Sequence, residues 1–205
     1  MTNLSPDPIL LDLPTPIYTN RLMLRPPIAG DGPALNQAIL DSFEDLHEWM
    51  PWATVRPTLE DSEKHVRKWH AKWILREDIQ FLIFEKVSGI LVGSTGLSRI
   101  DWKIPKFEIG YWVRQGFGGK GYITEAVAAA TQFSFLMLKA NRVEILCDVD
   151  NLKSRKIPER LGFQLEGIRK NDRVKPRSLV VGDTCVYVRF DEGGLPDVGL
   201  DCHLF

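Results

Sequence analysis

The chain lacks several things, and each absence removes a class of protein. It has almost no net charge: 26 Lys and Arg against 27 Asp and Glu leave a formal −1, which excludes a nucleic-acid binder that works by bulk electrostatic attraction. It holds only three cysteines in 205 residues, Cys147, Cys185 and Cys202, neither closely paired nor at metal spacing. A disulfide scaffold or a zinc site is therefore not expected, and the odd count suits a reducing cytoplasm. Cys147 and Cys185 fall inside strand patterns and read as small buried hydrophobes. No apolar run approaches the about 20 residues that span a bilayer. The N-terminus has no charged region followed by an apolar run, and Pro6, Pro8, Pro14 and Pro16 break up what apolar sequence there is, so no signal peptide is expected. His65 and His70 have no third ligand at metal spacing and read as solvated positions on a charged helix. There is no internal repeat.

What is present is enough for one core: 44% of residues are hydrophobic and 26% charged, which predicts a single domain. The organising stretch is EIGYWVRQGFGGKGYITEA, Glu108 to Ala126. Phe107, Ile109, Tyr111 and Val113 alternate with Glu108, Gly110 and Trp112, the period of a strand. A turn with Gly116, Gly118, Gly119 and Gly121 follows, and Arg114 and Lys120 are its positive charges. From Tyr122 the period becomes helical, with Ile123, Ala126, Val127, Ala130, Phe133 and Met137 on one face. Strand, glycine turn and helix aim backbone N–H groups at an anion, and absent Cβ atoms let it come close. A ligand bearing phosphate is the leading expectation. The turn is no P-loop, because Gly121 follows Lys120 where Ser or Thr should hold magnesium. It contains G-x-G-x-x-G as Gly116, Gly118 and Gly121, but Asp148 and Asp150 come late for the acid of a dinucleotide site. A turn that uses glycine for geometry alone is the bland alternative.

Taken in order, residues 1–17 read as a proline-rich extended arm and Arg21 to Arg25 as a first strand. A helix capped by Asp31 runs to Asp41, and a short helical piece carries Phe43, Leu46 and Trp49. Trp49-Met50-Pro51-Trp52 suits a loop that packs against the core or walls a second-substrate site. Thr58 and Asp61 form a capping box ahead of a helix reaching about Leu75. Strands at Ile79 to Glu85 and Ile90 to Leu97 lead to the Glu108 strand, an antiparallel meander. After the long helix, Asn141 is the expected stop and Arg142 to Val149 a strand. That right-handed crossover makes the two strands parallel, with a ligand crevice at their carboxyl ends. Asp150 to Leu161 reads as a short helix, Phe163 to Arg169 and Leu179 to Phe190 as strands joined by a basic loop. The expected fold is a mixed α/β, about seven-stranded, mostly antiparallel sheet with one parallel splayed pair and helices on both faces. A single domain spans 18–190 and a tail 191–205.

Order and residues together resemble the GNAT superfamily of acyl-CoA-dependent N-acetyltransferases, most closely the RimJ/RimL branch that acetylates ribosomal-protein N-termini. The likeness spans Thr19 to Phe190 and rests on TNRLMLRP, MPWA, EIGYWV with GGKGYITEA, DNLKSRKIPERLGF, and Asp183 with Tyr187. It implies acetyl-CoA as cofactor, its pyrophosphate on the amides around Gly119, Lys120, Gly121 and Tyr122. The family pattern Gln/Arg-x-x-Gly-x-Gly/Ala maps onto Gly118 to Ile123: Gly121 keeps the key glycine, while Gly118 and Ile123 depart from it. Gly116 would loosen the loop and Arg114 supply charge. The pantetheine arm would lie along Trp112 and Val113 like an added strand, Gly110 fitting a bulge or close backbone approach, with Asn151 on the same arm.

The chemistry needs a proton taken from an amine and help for a departing thiolate. Glu108, a lone carboxylate in a central strand, is the candidate base, with a wetted or ion-paired acid as the alternative. By the resemblance Ser154, in Asn-x-x-Ser, would serve the thiolate; an ordinary N-cap is its other reading, and Tyr187 a substitute. Strand amides would stabilise the tetrahedral oxyanion. Pro158 removes the hydrogen bond to the Ser154 carbonyl, so the helix should kink or start late. The acceptor is expected to be a protein N-terminal α-amine, with a small amine such as a polyamine, aminoglycoside or amino acid as alternative and Trp49 and Trp52 as its wall. A dinucleotide oxidoreductase and a non-catalytic acyl-CoA sensor are the rivals from other classes. No nucleic acid, membrane or metal is expected as partner, and a homodimer stays open.

Overall fold

The computed structural model describes residues 7–202. After a 3-10 turn at Pro8–Leu10 come β1 (Ile17–Tyr18), β2 (Leu22–Arg25), α1 (Gly32–Asp41), α2 (Phe43–Trp49), α3 (Leu59–Ile74), β3 (Ile79–Glu85), β4 (Leu91–Asp101), β5 (Lys106–Val113), α4 (Tyr122–Leu136), β6 (Arg142–Asp148), α5 (Leu152–Arg160), β7 (Gln164–Val174) and β8 (Val181–Arg189). One eight-stranded sheet, in the order β1-β2-β3-β4-β5-β6-β8-β7, carries them all. Every neighbouring pair is antiparallel except β5 and β6, which are parallel.

The expectation of about seven strands is thus corrected to eight. The extra one is β1, at the end of the stretch expected to be an arm: Ile17 is fully buried and pairs with Leu24. Two residues carry no period, so no alternation announced it. The start of that arm, residues 1–6, lies outside the described residues, as do 203–205 of the tail. Within the described part of the tail, Leu195, Val198 and Leu200 pack on the main core, and Asp201 bridges Tyr18.

Local chemistry explains most boundaries. The capping box of α3 is formed, with Asp61 N donating to Thr58 Oγ1 and Thr58 N to Asp61 Oδ2, both at 3.1 Å. The expected cap at Asp31 is corrected: its carboxylate accepts from Arg25 at 2.7 and 2.6 Å and from Ile28 N at 2.8 Å, and so fastens the end of β2 to the approach to α1. The long helix stops at Leu136 rather than at Asn141, and Lys139, at φ 54°, takes the left-handed turn. Asn141 already belongs to the entry of β6, its N–H donating to Pro105 O at 2.7 Å. Strand β7 runs past Arg169 to Val174 across register shifts that break its alternation.

The sheet separates two clusters. Beneath α4 and α5 lie Phe81, Phe107, Ile109, Phe133, Ile145 and Tyr187. Beneath α1 and α3 lie Leu35, Ala38, Val66, Leu82 and Trp112. The period of two places Phe107 and Ile109 of β5 in the first cluster and Trp112 in the second, so Glu108 and Gly110 share the Trp112 face.

Candidate active site

Strands β5 and β6 run side by side only briefly. Lys106, Phe107 and Glu108 pair with Arg142, Val143 and Glu144, and there the ladder between them ends. Beyond it β6 stays with β8 as far as Asp148, while β5 stays with β4 to Val113. Ile109 to Val113 therefore present an open strand edge to a crevice, the feature that parallel neighbours leading into different elements create.

The crevice leads to the N-terminus of α4. Gly119 and Gly121 have φ of 77° and 80°, a region side chains disfavour. A Cβ built on Gly118 or Gly119 meets nothing within 4 Å, so the space above the turn is free. The first intrahelical hydrogen bond runs from Glu125 N to Gly121 O at 3.0 Å, leaving the amides of Tyr122, Ile123 and Thr124 ahead of it without a helical acceptor. These amides and the helix dipole suit a phosphate. The residues thus fit a diphosphate-bearing cofactor. Ile123, a departure from the family pattern, is 7% exposed, its Cδ1 3.2 Å from where a side chain on Gly93 would begin. The bare glycine makes room for the larger residue.

Both ends of the turn are fastened by residues that carried no role in the sequence reading. In front, Gln115 N donates to Ser42 Oγ at 2.9 Å. Behind, the buried carboxylate of Glu125 accepts from Thr19 Oγ1 at 2.6 Å, Arg21 N at 2.9 Å and Arg21 Nε at 2.6 Å. Arg21 also donates to Lys120 O at 2.9 Å and lies over the Tyr122 ring, 4.7 Å from its centroid. The TNRL and ITEA pieces are thus two halves of one clamp, a signal that only their joint presence offered. Arg114, expected to supply charge at the turn, instead binds Asp41 through Nε at 2.8 Å and Nη2 at 2.6 Å. The guanidinium placed at the helix start is that of Arg21. Lys120 leans over Phe117, its Nζ 4.9 Å from the ring centroid.

Glu108 lies at the last rung before the crevice, its side chain 20% exposed and 3.4 Å from Arg99 Nε. Burial pushes its pKa above the ordinary carboxylate value, Arg99 opposes that, and Glu144 adds to it. Glu144, the register partner of Glu108, was not singled out from sequence; its place opposite Glu108 follows once the parallel register is known. Arg142 Nε holds it at 2.5 Å. Next to Glu108 on this face, Gly110 is exposed and a Cβ there meets nothing within 4 Å. Of the two expectations for Gly110, a bulge or a close backbone approach, the bulge is corrected: the register shift between β4 and β5 falls between Ser98 and Asp101, and Gly110 stays paired with Gly96. Trp112 is 7% exposed, and Trp52, 48% exposed, sits with its ring centroid 6.4 Å away. Trp49 ends α2 half-buried.

Across the sheet, Ser154 stands in the first turn of α5. The helix is capped by Asn151, whose Oδ1 accepts from Ser154 N at 3.0 Å, so the Ser154 hydroxyl is not spent as the cap. The expected late start is corrected: α5 begins at Leu152, directly after its Asn151 cap, and continues through Pro158. Tyr111 Oη lies 3.0 Å from Ser154 O and 3.1 Å from Ser154 Oγ. Cys147 is buried on the same side, and burial pushes its pKa up to about 12. Tyr187, the alternative to Ser154, is 2% exposed, donates to Glu159 Oε1 at 2.7 Å and accepts from Arg155 Nε at 3.2 Å. Among the described residues no cluster of His, Cys, Asp or Glu could hold a metal, and no helix is long and apolar enough to cross a membrane.

The parallel pair parting above a glycine turn defines the fold and site of a coenzyme-A-dependent acyltransferase, and residues 21–164 match the family model described as Acetyltransferase (GNAT) domain. The chain belongs to that family. It is 34% identical over 140 residues to the putative ribosomal N-acetyltransferase YdaF of Bacillus subtilis (strain 168), covering 67% of this chain and 74% of the relative. It is 30% identical over 139 residues to the ribosomal-protein-serine acetyltransferase of Escherichia coli (strain K12), covering 66% and 75%. Among solved structures, RimL, a ribosomal L7/L12 alpha-N-protein acetyltransferase in complex with coenzyme A, superposes with a TM-score of 0.79 at 25% identity, covering 85% of this chain and 96% of that one.

Proposed function

We propose that this N-acetyltransferase moves an acetyl group from acetyl-CoA to the N-terminal α-amine of a protein. The observation that carries the reading is the gap after Glu108, which opens on a carboxylate with a raised pKa on one face, a serine hydroxyl on the other, and unpaired helix amides at its end. Acetyl-CoA, when bound, supplies a thioester carbonyl open to attack by an amine. The amides of Gly119, Lys120, Gly121, Tyr122 and Ile123 hold its diphosphate, with Gly118 leaving the approach clear. Trp112 and Val113 offer the open edge of β5 to the amide-bearing arm as an added strand would, with Asn151 beside it. Glu108 takes the proton of the incoming ammonium, which an acid with a raised pKa does more readily than an ordinary carboxylate. Ser154 hydrogen-bonds the departing thiolate.

A chain end rather than an enclosed small amine is favoured by the openness of the acceptor face, where Gly110 is bare and Trp52 is 48% exposed. The names of the relatives, two for ribosomal proteins, agree. The reading places the reaction in the cytoplasm, which the three free cysteines suit.

Thiol release from acetyl-CoA, followed with a panel of peptides bearing free N-termini, Ser-initiated ones included, against polyamines, aminoglycosides and amino acids, tests the acceptor. Turnover with peptides well above that with small amines is the expected result; the reverse overturns the acceptor class. Thermal shift separates cofactors: acetyl-CoA at a hundred times its Kd stabilises by about 2.7 kcal/mol, and NAD(P) leaves Tm unchanged.

A further inference from the structure

Pro158 lies inside α5, and a proline has no amide proton. The carbonyl of Ser154, four residues earlier, therefore receives no hydrogen bond from position 158 and is open to another donor. It finds one on the neighbouring strand: Tyr111 Oη donates to Ser154 O at 3.0 Å. The same phenol lies 3.1 Å from Ser154 Oγ. A phenol has one proton. Shared between the carbonyl and the serine oxygen, it holds both beside β5 and leaves the serine its own hydrogen. Asn151 fixes the serine from the other side, accepting from Ser154 N at 3.0 Å. Amide, carbonyl and hydroxyl of Ser154 are thus each tied, two of them to a residue of the strand whose open edge walls the crevice.

We propose that Tyr111 is a positioning residue, which replaces the hydrogen bond that Pro158 removes and thereby sets the Ser154 hydroxyl toward the thiol that departs in the crevice. The inference rests on Ser154 acting as the thiolate's hydrogen-bond donor. Tyr111 stays a donor at any working pH because burial raises its pKa above the ordinary phenol value. The arrangement also explains how a proline is tolerated within the helix that carries the serine: the strand restores what the helix lacks.

Four variants test it: Ser154→Ala, Tyr111→Phe, Pro158→Ala and the double variant Tyr111→Phe/Pro158→Ala. For each, kcat and KM are taken from thiol release with the most active acceptor of the panel, and the acetyl-CoA Kd by calorimetry. Tyr111→Phe lowers kcat about ten- to a hundredfold, the range that a displaced catalytic group produces, with acetyl-CoA Kd unchanged. Pro158→Ala returns an amide proton to the Ser154 carbonyl, so the double variant recovers most of the lost kcat, and Pro158→Ala alone stays near the parent. A purely structural tyrosine lowers Tm in Tyr111→Phe and leaves the kcat of the folded protein unchanged. Should Tyr111→Phe fail to fold, the double variant must still fold and turn over. Unchanged kcat in Tyr111→Phe, or a loss that Pro158→Ala does not recover, overturns the positioning role. Loss in Ser154→Ala without loss in Tyr111→Phe overturns Tyr111 and leaves the serine standing, whereas no loss in Ser154→Ala overturns both.

Discussion

Replacing Glu125 with alanine removes the carboxylate that gathers Thr19 and Arg21 onto the first turn of α4. Glu125 is 8% exposed, and its loss strips acceptors from a hydroxyl that is 1% exposed, a backbone amide and a guanidinium. Removing one partner of a fully buried ion pair costs about 3–5 kcal/mol. Here the Arg21 side chain is 47% exposed, so water rehydrates the guanidinium that is left. Screening reduces the expected cost to about 2–3 kcal/mol. At about 2–4 °C per kcal/mol for a chain of this size, Tm falls by about 5–10 °C. Arg21 also loses its orientation toward Lys120 O, so the turn loosens and acetyl-CoA binding weakens about tenfold, equivalent to about 1.4 kcal/mol. Calorimetric melting and acetyl-CoA titration of Glu125→Ala and Glu125→Gln measure the two effects. The glutamine, which keeps one acceptor oxygen and the packing, falls between parent and alanine. A drop in Tm of less than about 2 °C would refute the clamp's energetics. A full drop with unaltered acetyl-CoA affinity would show that the clamp secures the fold and not the turn.

Glu108→Gln lowers kcat by about a hundredfold or more, within the usual span for a general base, and leaves acetyl-CoA binding intact; equal turnover at every pH removes Glu108 from the role. With Glu108 in place, kcat/KM climbs with pH through a pKa above the ordinary carboxylate value, because burial favours the neutral acid and only the ionised form takes a proton. Glu144→Gln deletes a like charge and moves that limb to lower pH, whereas Arg99→Ala deletes the opposing cation and moves it higher. Arg169 and Arg173 of β7 remain in both, so shifts of the same sign would contradict the assignment. Trp52→Ala raises the acceptor KM about fivefold, equivalent to about 1 kcal/mol, and spares acetyl-CoA; an unchanged acceptor KM separates Trp52 from the acceptor wall. Gly110→Val has room for its side chain and a residue type that strands favour, so Tm holds or rises while turnover falls. Full activity in that variant would show that the acceptor does not use this face.

The parts that sequence made legible are those with a strong local signal. The alternation from Phe107 to Val113, the four glycines after it and the change to a helical period at Tyr122 specify the strand, turn and helix without help from the rest of the chain. The parallel pairing of β5 and β6 then follows from the crossover rule. What escaped depends on contacts distant in sequence. Glu125 and Arg21 are far apart in the chain, and nothing local to ITEA shows that its carboxylate is buried. Arg114 stands in the right place by number, but Asp41 at the end of α1 captures it. Tyr111 reads as one more strand aromatic until α5 is laid beside it. Glu144 is another acid in a strand until the register sets it opposite Glu108.

One strand divides the proposed chemistry between two faces. On β5, Glu108, Gly110 and Trp112 point one way and Tyr111 the other, so base and acceptor wall lie on the α1 side and the tyrosine-held serine on the α5 side. A continuous sheet would keep these groups apart, since its hydrogen-bonded backbone fills the plane between them. The ladder from β5 to β6 stops at Glu108, and the plane opens at the residue beyond it. On the proposed reading an amine would come from one face and the thiol leave toward the other, with the transferred carbon in the gap. The same opening frees the edge of β5, where the proposed cofactor arm would lie. Because the glycine turn alone links the end of β5 to the start of α4, the amides proposed for the diphosphate stand at the mouth of that gap. The distribution of roles thus follows from the strand period and the single place where two parallel neighbours separate.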